Sequence, residues 1–150
     1  MTNSPAAPIS PHVLERYQRD FYTNTDLVFR FGLVLTVSRE GAERITEAVF
    51  ARLVEGFDRL PKNTDPLKHL LSLTWNSWMD LRGERFHEWN SPVVASLKAL
   101  KPDERACLFL VDMAGLNAEQ SAVLMTMSEK DVRIALAAAR RRLAKGEIKF

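Results

Sequence analysis

Apolar residues along this chain recur at spacings of three and four rather than two, a period that belongs to helices with one buried face. The pattern predicts a first helix over about 11–22, with Val13, Leu14, Tyr17 and Phe21 on one face and proline at a favourable first-turn position. A second, over about 25–37, carries Leu27, Val28, Phe31, Val34 and Leu35. Gly32 lies inside it and costs about 1 kcal/mol relative to alanine. Ser38 is placed to cap a third helix reaching about residue 57, with Ala42, Ile45, Val49, Phe50 and Leu53 on its apolar side. A polar, proline-bounded loop over 60–66 then leads to a fourth helix over about 65–82, holding Leu70, Leu71, Trp75 and Trp78.

A short break over 83–90 separates this stretch from the rest. Ser91 and Pro92 open a helix to about residue 100, and another over about 102–114 is ended by Gly115. Asn117 caps a short helix to about residue 125, and Ser128 caps a last one through about 145, with Asp131 three residues on as in a capping box. The fold class is therefore all-α. The C-terminal order is helix, glycine turn, short helix, tight turn and longer helix. That is the helix-turn-helix plan, whose last helix enters the DNA major groove. Any small helical bundle produces the same order, so spacing alone leaves the two readings level.

Charge adds little. Residues 1–90 carry eleven Lys and Arg against twelve Asp and Glu, and residues 91–150 carry ten against seven. The C-terminal part is mildly basic, but a pI of 8.8 falls short of the usual footprint of a DNA-binding domain. The single cysteine, Cys107, excludes an internal disulfide and fits a reducing, cytoplasmic setting. It stands in an apolar helix with no obvious partner to lower its pKa, so a buried core thiol is expected rather than a nucleophile. The first ten residues lack the pattern of a signal peptide, and no apolar run is long enough to span a membrane.

Catalytic chemistry is not legible. His12, His69 and His87 are scattered, and none has metal-ligand spacing with Cys107 or with a second histidine. No glycine-rich phosphate loop, nucleophile elbow or convincing carboxylate pair is present. Neither an enzyme nor a bound cofactor or metal is expected. Trp75 and Trp78, three apart on one helix, have the spacing of a core pair and also that of a platform for unpaired bases.

The stretch 100–143 reads LKPDERACLFLVDMAGLNAEQSAVLMTMSEKDVRIALAAARRRL. It resembles, without a gap, the C-terminal domain of extracytoplasmic-function sigma factors. The resemblance rests on Leu100-x-Pro102 with Glu104-Arg105, on Gly115-Leu116, and on Ala122, Ser128, Val132, Leu136, Ala139-Arg140 and Leu143. Upstream, VFRFGLVLT (28–36) resembles the family's first conserved helix. SREGAERITEAVFARL (38–53) is similar to the helix that docks on the polymerase clamp, and DPLKHLLSLTWNSWMDLR (65–82) to the helix that meets the −10 element. The resemblance implies two small helical domains, a sigma region 2-like one over 11–82 and a region 4-like helix-turn-helix over 92–145, joined by a short linker over 83–91.

Where the chain departs from the family, the departures fall on working surfaces. In the clamp-docking helix the family usually has an acid, then glutamine and an acid; here those places hold Arg44, Glu47 and Ala48. Either standard docking is altered or the change is drift on a solvated face. In the last helix the resemblance puts Ile134, Ala135 and Ala138 on the side where the family presents arginine, the usual reader of guanine. Asp131 adds negative charge near the end of the helix where a phosphate would sit. Lys130, Arg133, Arg140, Arg141 and Arg142 remain as candidates for DNA phosphate contact without sequence readout, or as a solvated surface suited to the helix dipole. The nine-residue linker spans at most about 30 Å. Promoter elements of such a factor lie on the order of 60 Å apart. The linker is also short for the family, which makes Phe86 and Trp89 candidate contacts between packed halves.

Three functional readings follow. The first is a sigma-like transcription regulator acting mainly by protein contact, with an anti-sigma factor or core RNA polymerase as partner and DNA binding weak. It is similar to the sigma-mimicking half of general-stress response regulators. Its contact residues are Arg44, Glu47, Ala48, Ile134, Ala135 and Ala138. The second is a divergent but working sigma factor. The third is a sigma-fold interaction module without a transcriptional role, dimerising through the apolar strip.

Overall fold

Local chemistry starts most of the helices where the periodicity places them. Proline occupies the first turn of α1 (Pro11–Arg16), and the second helix, α2, spans Thr25–Thr36. Ser38 caps α3 (Arg39–Gly56), its hydroxyl accepting from the Gly41 amide at 3.1 Å. Asp65 caps α4 (Pro66–Leu81) through the amides of Leu67 and Lys68. Proline again opens α5 (Pro92–Lys98) and α6 (Pro102–Leu108). Asn117 and Gln120 close a reciprocal capping box on α7 (Ala118–Met125), and Ser128 accepts from the Asp131 amide at the start of α8 (Glu129–Ala144). The computed structural model describes residues 10–144, so Lys145 and the rest of the C-terminal stretch, like residues 1–9, lie outside the described residues. Among those described, all regular structure is helical.

Two predicted helices change pitch before they end. The run predicted over 11–22 passes from α1 into a π-helical turn, Tyr17–Phe21, and then a 3-10 turn, Tyr22–Asn24. The wider turn sets Tyr17 and Phe21 both edge-on to Phe57, at 5.7 and 5.4 Å between ring centroids. The run over 102–114 likewise passes from α6 into a π-helical turn, Phe109–Met113, before Gly115 stops it at φ 79.

In the N-terminal half, α2, α3 and α4 pack on one another. The turn from α2 to α3 is a single left-handed residue, Val37 (φ 54), followed by Ser38. A β-branched residue there carries a cost of about 1–2 kcal/mol. Gly32 repays its helix penalty in contact: a Cβ on it would lie 3.1 Å from the Ala42 Cα, so α2 and α3 cross closely because of it. In the C-terminal half α6 and α7 pack on α8, whose Val132, Leu136 and Ala139 are buried.

The two halves share one core. Buried residues from Phe21 to Ala139 form a single cluster. Across the seam the rings of Phe31 and Phe109 lie parallel, 1° apart in plane and 4.8 Å between centroids. Arg105, only 7% exposed, reaches from α6 to α2, where its Nε donates to the Val34 carbonyl at 2.7 Å and its Nη2 to the Leu35 carbonyl at 2.9 Å. Its Nη1 donates to the carbonyls of Leu100 (2.6 Å) and Leu97 (3.4 Å).

The segment between the halves is pinned along its length. Glu84 pairs with Arg44 at 3.5 Å, the His87 amide donates to Glu40, and the Ser38 hydroxyl donates to the His87 carbonyl at 2.5 Å. Trp89 lies against Val37 and Leu97 with the Arg39 guanidinium over its ring, and Glu88 pairs with Lys98. Of the two aromatic residues expected to bridge the halves, Trp89 does so, while Phe86 is half-buried on the connecting segment itself.

A shared core predicts shared unfolding. Phe109→Ala should lower stability by about 3–5 kcal/mol, as large core truncations do. All three tryptophans (Trp75, Trp78 and Trp89) precede α5. Their fluorescence should nevertheless follow the same single urea transition, shifted to lower urea, that a helical signal reports.

Candidate functional site

The α8 helix turns one face inward and leaves another in solvent. Lys130, Arg133, Ile134, Ala137, Arg140 and Arg141 are exposed, Ile134 by 55%. Ala135 and Ala138 are half-buried, Ala135 against the core, so the apolar strip is narrower than the sequence suggests and Ile134 is its one large member.

The cations of this helix are mostly engaged. Arg133 pairs with Glu129 one turn earlier, Arg140 with Asp112 at 2.6 Å, and Arg142 with Glu104 at 3.7 Å and with the Ala99 carbonyl. Among the described residues only Lys130 and Arg141 of the five candidates for phosphate contact have no ionic partner. The exposed pairs Arg133–Glu129 and Arg140–Asp112 are worth about 0–1 kcal/mol, so a polyanion can open them, but each one opened subtracts from its attraction. Arg142, by contrast, is set against the buried Glu104.

Arg44 and Glu47 are exposed on α3 and Ala48 is half-buried there, with Arg44 held by Glu84. The fold does not bring this set to the α8 set: α3 packs on α2 and α4, whereas α8 packs on α6 and α7.

A cleft of about 480 Å³ between α4 and α7 joins the halves on another side. Lys68 and Ser72 form one wall, and Leu116, Gln120, Val123 and Leu124 form the other. Val123 is 78% exposed at its rim. Sequence reasoning missed this feature. Its one local signal is a valine on the outer side of a short helix, and the cleft exists only because α4 and α7 meet in the tertiary structure.

Trp75 and Trp78 are buried in the core and offer no stacking platform for bases. The described residues contain no cluster of metal-ligating side chains. Burial pushes the His69 imidazole below its ordinary value, with its ring edge-on to that of Phe21. No helix among the described residues is long and apolar enough to cross a membrane.

Neither a family model nor a curated protein matches the chain. Solved structures do. The sigma factor RpoE of Bartonella quintana, in complex with the anti-sigma factor NepR, is similar over 87% of this chain and 96% of its own, at 15% identity and a TM-score of 0.73. The PhyRSL–NepR complex from Sphingomonas sp. Fr1 is similar over 86% of this chain and 87% of the other, at 20% identity and a TM-score of 0.71. The anti-anti-sigma factor PhyR of Bartonella quintana, complexed with NepR, is similar at 18% identity and a TM-score of 0.61 over 83% of this chain and 47% of its own. The fold is sigma-factor-like.

Burial and the nearby acids Asp103 and Glu104 push the Cys107 thiol up to about 12. Iodoacetamide at pH 8 should therefore leave the folded chain unmodified and label it at the rate of a free thiol in urea, read by intact mass. Rapid labelling of the folded chain would place Cys107 outside the core.

Proposed function

We propose that this chain is a sigma-like transcription regulator that works mainly through protein contact, with an anti-sigma factor of the NepR kind as its partner. One observation carries the reading: the two sigma-like chains that it resembles over nearly their whole lengths are both bound to such a factor. The surface of α8 agrees with it. Alanines stand where guanine-reading arginine is expected, three of the five candidate cations are tied to acids or carbonyls, and Ile134 offers an apolar anchor. This face suits an amphipathic partner helix. Nothing in this role requires catalysis, a metal or a cofactor.

The likeness to RpoE along almost all of that chain favours one second reading, a divergent sigma factor that docks on core polymerase through the α3 face bearing Arg44, Glu47 and Ala48. Run-off transcription with purified core enzyme separates the two. Specific product from a promoter pool supports the second, and its absence alongside tight binding of the anti-sigma factor supports the first.

The sharper test is Ile134→Asp, measured by calorimetric titration with a purified NepR-type anti-sigma factor. Affinity should fall at least about thirtyfold, the cost of a lost interface hot spot, while the melting temperature stays within a few degrees because Ile134 makes no core contact. Unchanged affinity would remove α8 from the interface.

A further inference from the structure

The α2 helix ends in a way that its own half does not complete. A helix leaves its last carbonyls without intrahelical partners and carries partial negative charge at that end. Here the Leu33 carbonyl is met by the Val37 amide at 2.8 Å, but those of Val34 and Leu35 are met by Arg105, seventy residues further along the chain. Val37, in its unfavourable left-handed conformation, keeps its side chain buried against Leu97 and Trp89 and accepts from the Trp89 amide at 3.4 Å. Every one of these partners lies after residue 88.

We propose that Arg105 is a latch: it caps α2 from the C-terminal half and holds the two halves closed against each other. A guanidinium suits the task because its planar fork reaches two successive carbonyls at once, stays charged when buried, and adds positive charge at the negative end of the helix. The closed form is self-consistent only while the fork is seated. Withdrawing α6 from α2 strands the Val34 and Leu35 carbonyls, uncovers Val37, and takes the guanidinium from two of its four acceptors. The connecting segment alone does not supply this hold, because its ion pairs, Arg44–Glu84 and Lys98–Glu88, are exposed and weak.

The test uses the full chain without any partner. Spin labels at Lys62→Cys and Lys130→Cys, one in each half, report the distance between the halves, and Cys107 is buried away from the reagent. Wild type should give one narrow distance. Arg105→Lys, which keeps the charge but loses the fork, should add a longer population. Amide exchange at Val37 and Trp89 should then quicken by about tenfold or more, while the interiors of α3 and α8 keep their protection. Arg105→Met should do the same more strongly. Should the methionine variant fail to fold, the lysine variant and the wild-type distance still decide. A broad distance in wild type, or a lysine variant with unchanged distance and unchanged exchange, overturns the latch.

Discussion

Phe31 on α2 and Phe109 just beyond α6 lie flat against each other at 4.8 Å, and the position of most other elements follows from that contact. Rings this close exclude water from both helices at once, so α2 must serve two cores: α3 and α4 on one side, α6 on the other. That demand explains the small residue at its centre. Gly32 lets α3 come within touching distance through Ala42, and the space so gained leaves the Phe31 side of the helix for the second half. The same demand explains the residue at its end, because a helix enclosed by two neighbours cannot leave its final carbonyls to solvent.

Burying the Arg105 charge is costly, and burial lowers its pKa although Glu104 beside it works the other way. A hydrophobic residue of similar size would avoid that cost but leave the Val34 and Leu35 carbonyls without a partner. The fork, however, fits only one arrangement of the two halves, since its acceptors come from both α2 and the α5–α6 turn. The polar seam therefore gives orientation and, together with the stacked phenylalanines, cohesion. The candidate surfaces sit on the frame so fixed. The α4–α7 cleft exists only in the closed form, and the outer face of α8 is held at a set angle to it.

Much of the frame was legible in the residues. Ser38, Asn117 and Ser128 are caps in fact as in pattern, and Gly115 stops its helix as read; the Asp65 cap appears only in the structure. The changes of pitch at Tyr17–Phe21 and Phe109–Met113 were not legible, because a π turn answers to where distant rings must land and not to local propensity. Arg105 registered only as part of a family signature; its acceptors lie about seventy residues away, beyond the reach of any local pattern. The candidate site was legible in outline. Ile134 is exposed as expected, but Ala135 and Ala138 are half-buried, and Ala135 packs against the core. The ion pairs that occupy Arg140 and Arg142 join α8 to segments nearly thirty or more residues earlier, so the tertiary fold alone reveals them.

The seam also bears on the order in which the chain is made. The N-terminal half leaves the ribosome first, and until α6 arrives Phe31 has no cover and the end of α2 has no cap. During that interval the nascent half is an incomplete domain showing an aromatic face to the cell's chaperones. Exchange of whole modules by recombination is constrained in the same way. A replacement C-terminal half must bring its own aromatic residue and its own cation to the same two places. The two parts of this chain are thus heritable only as a pair.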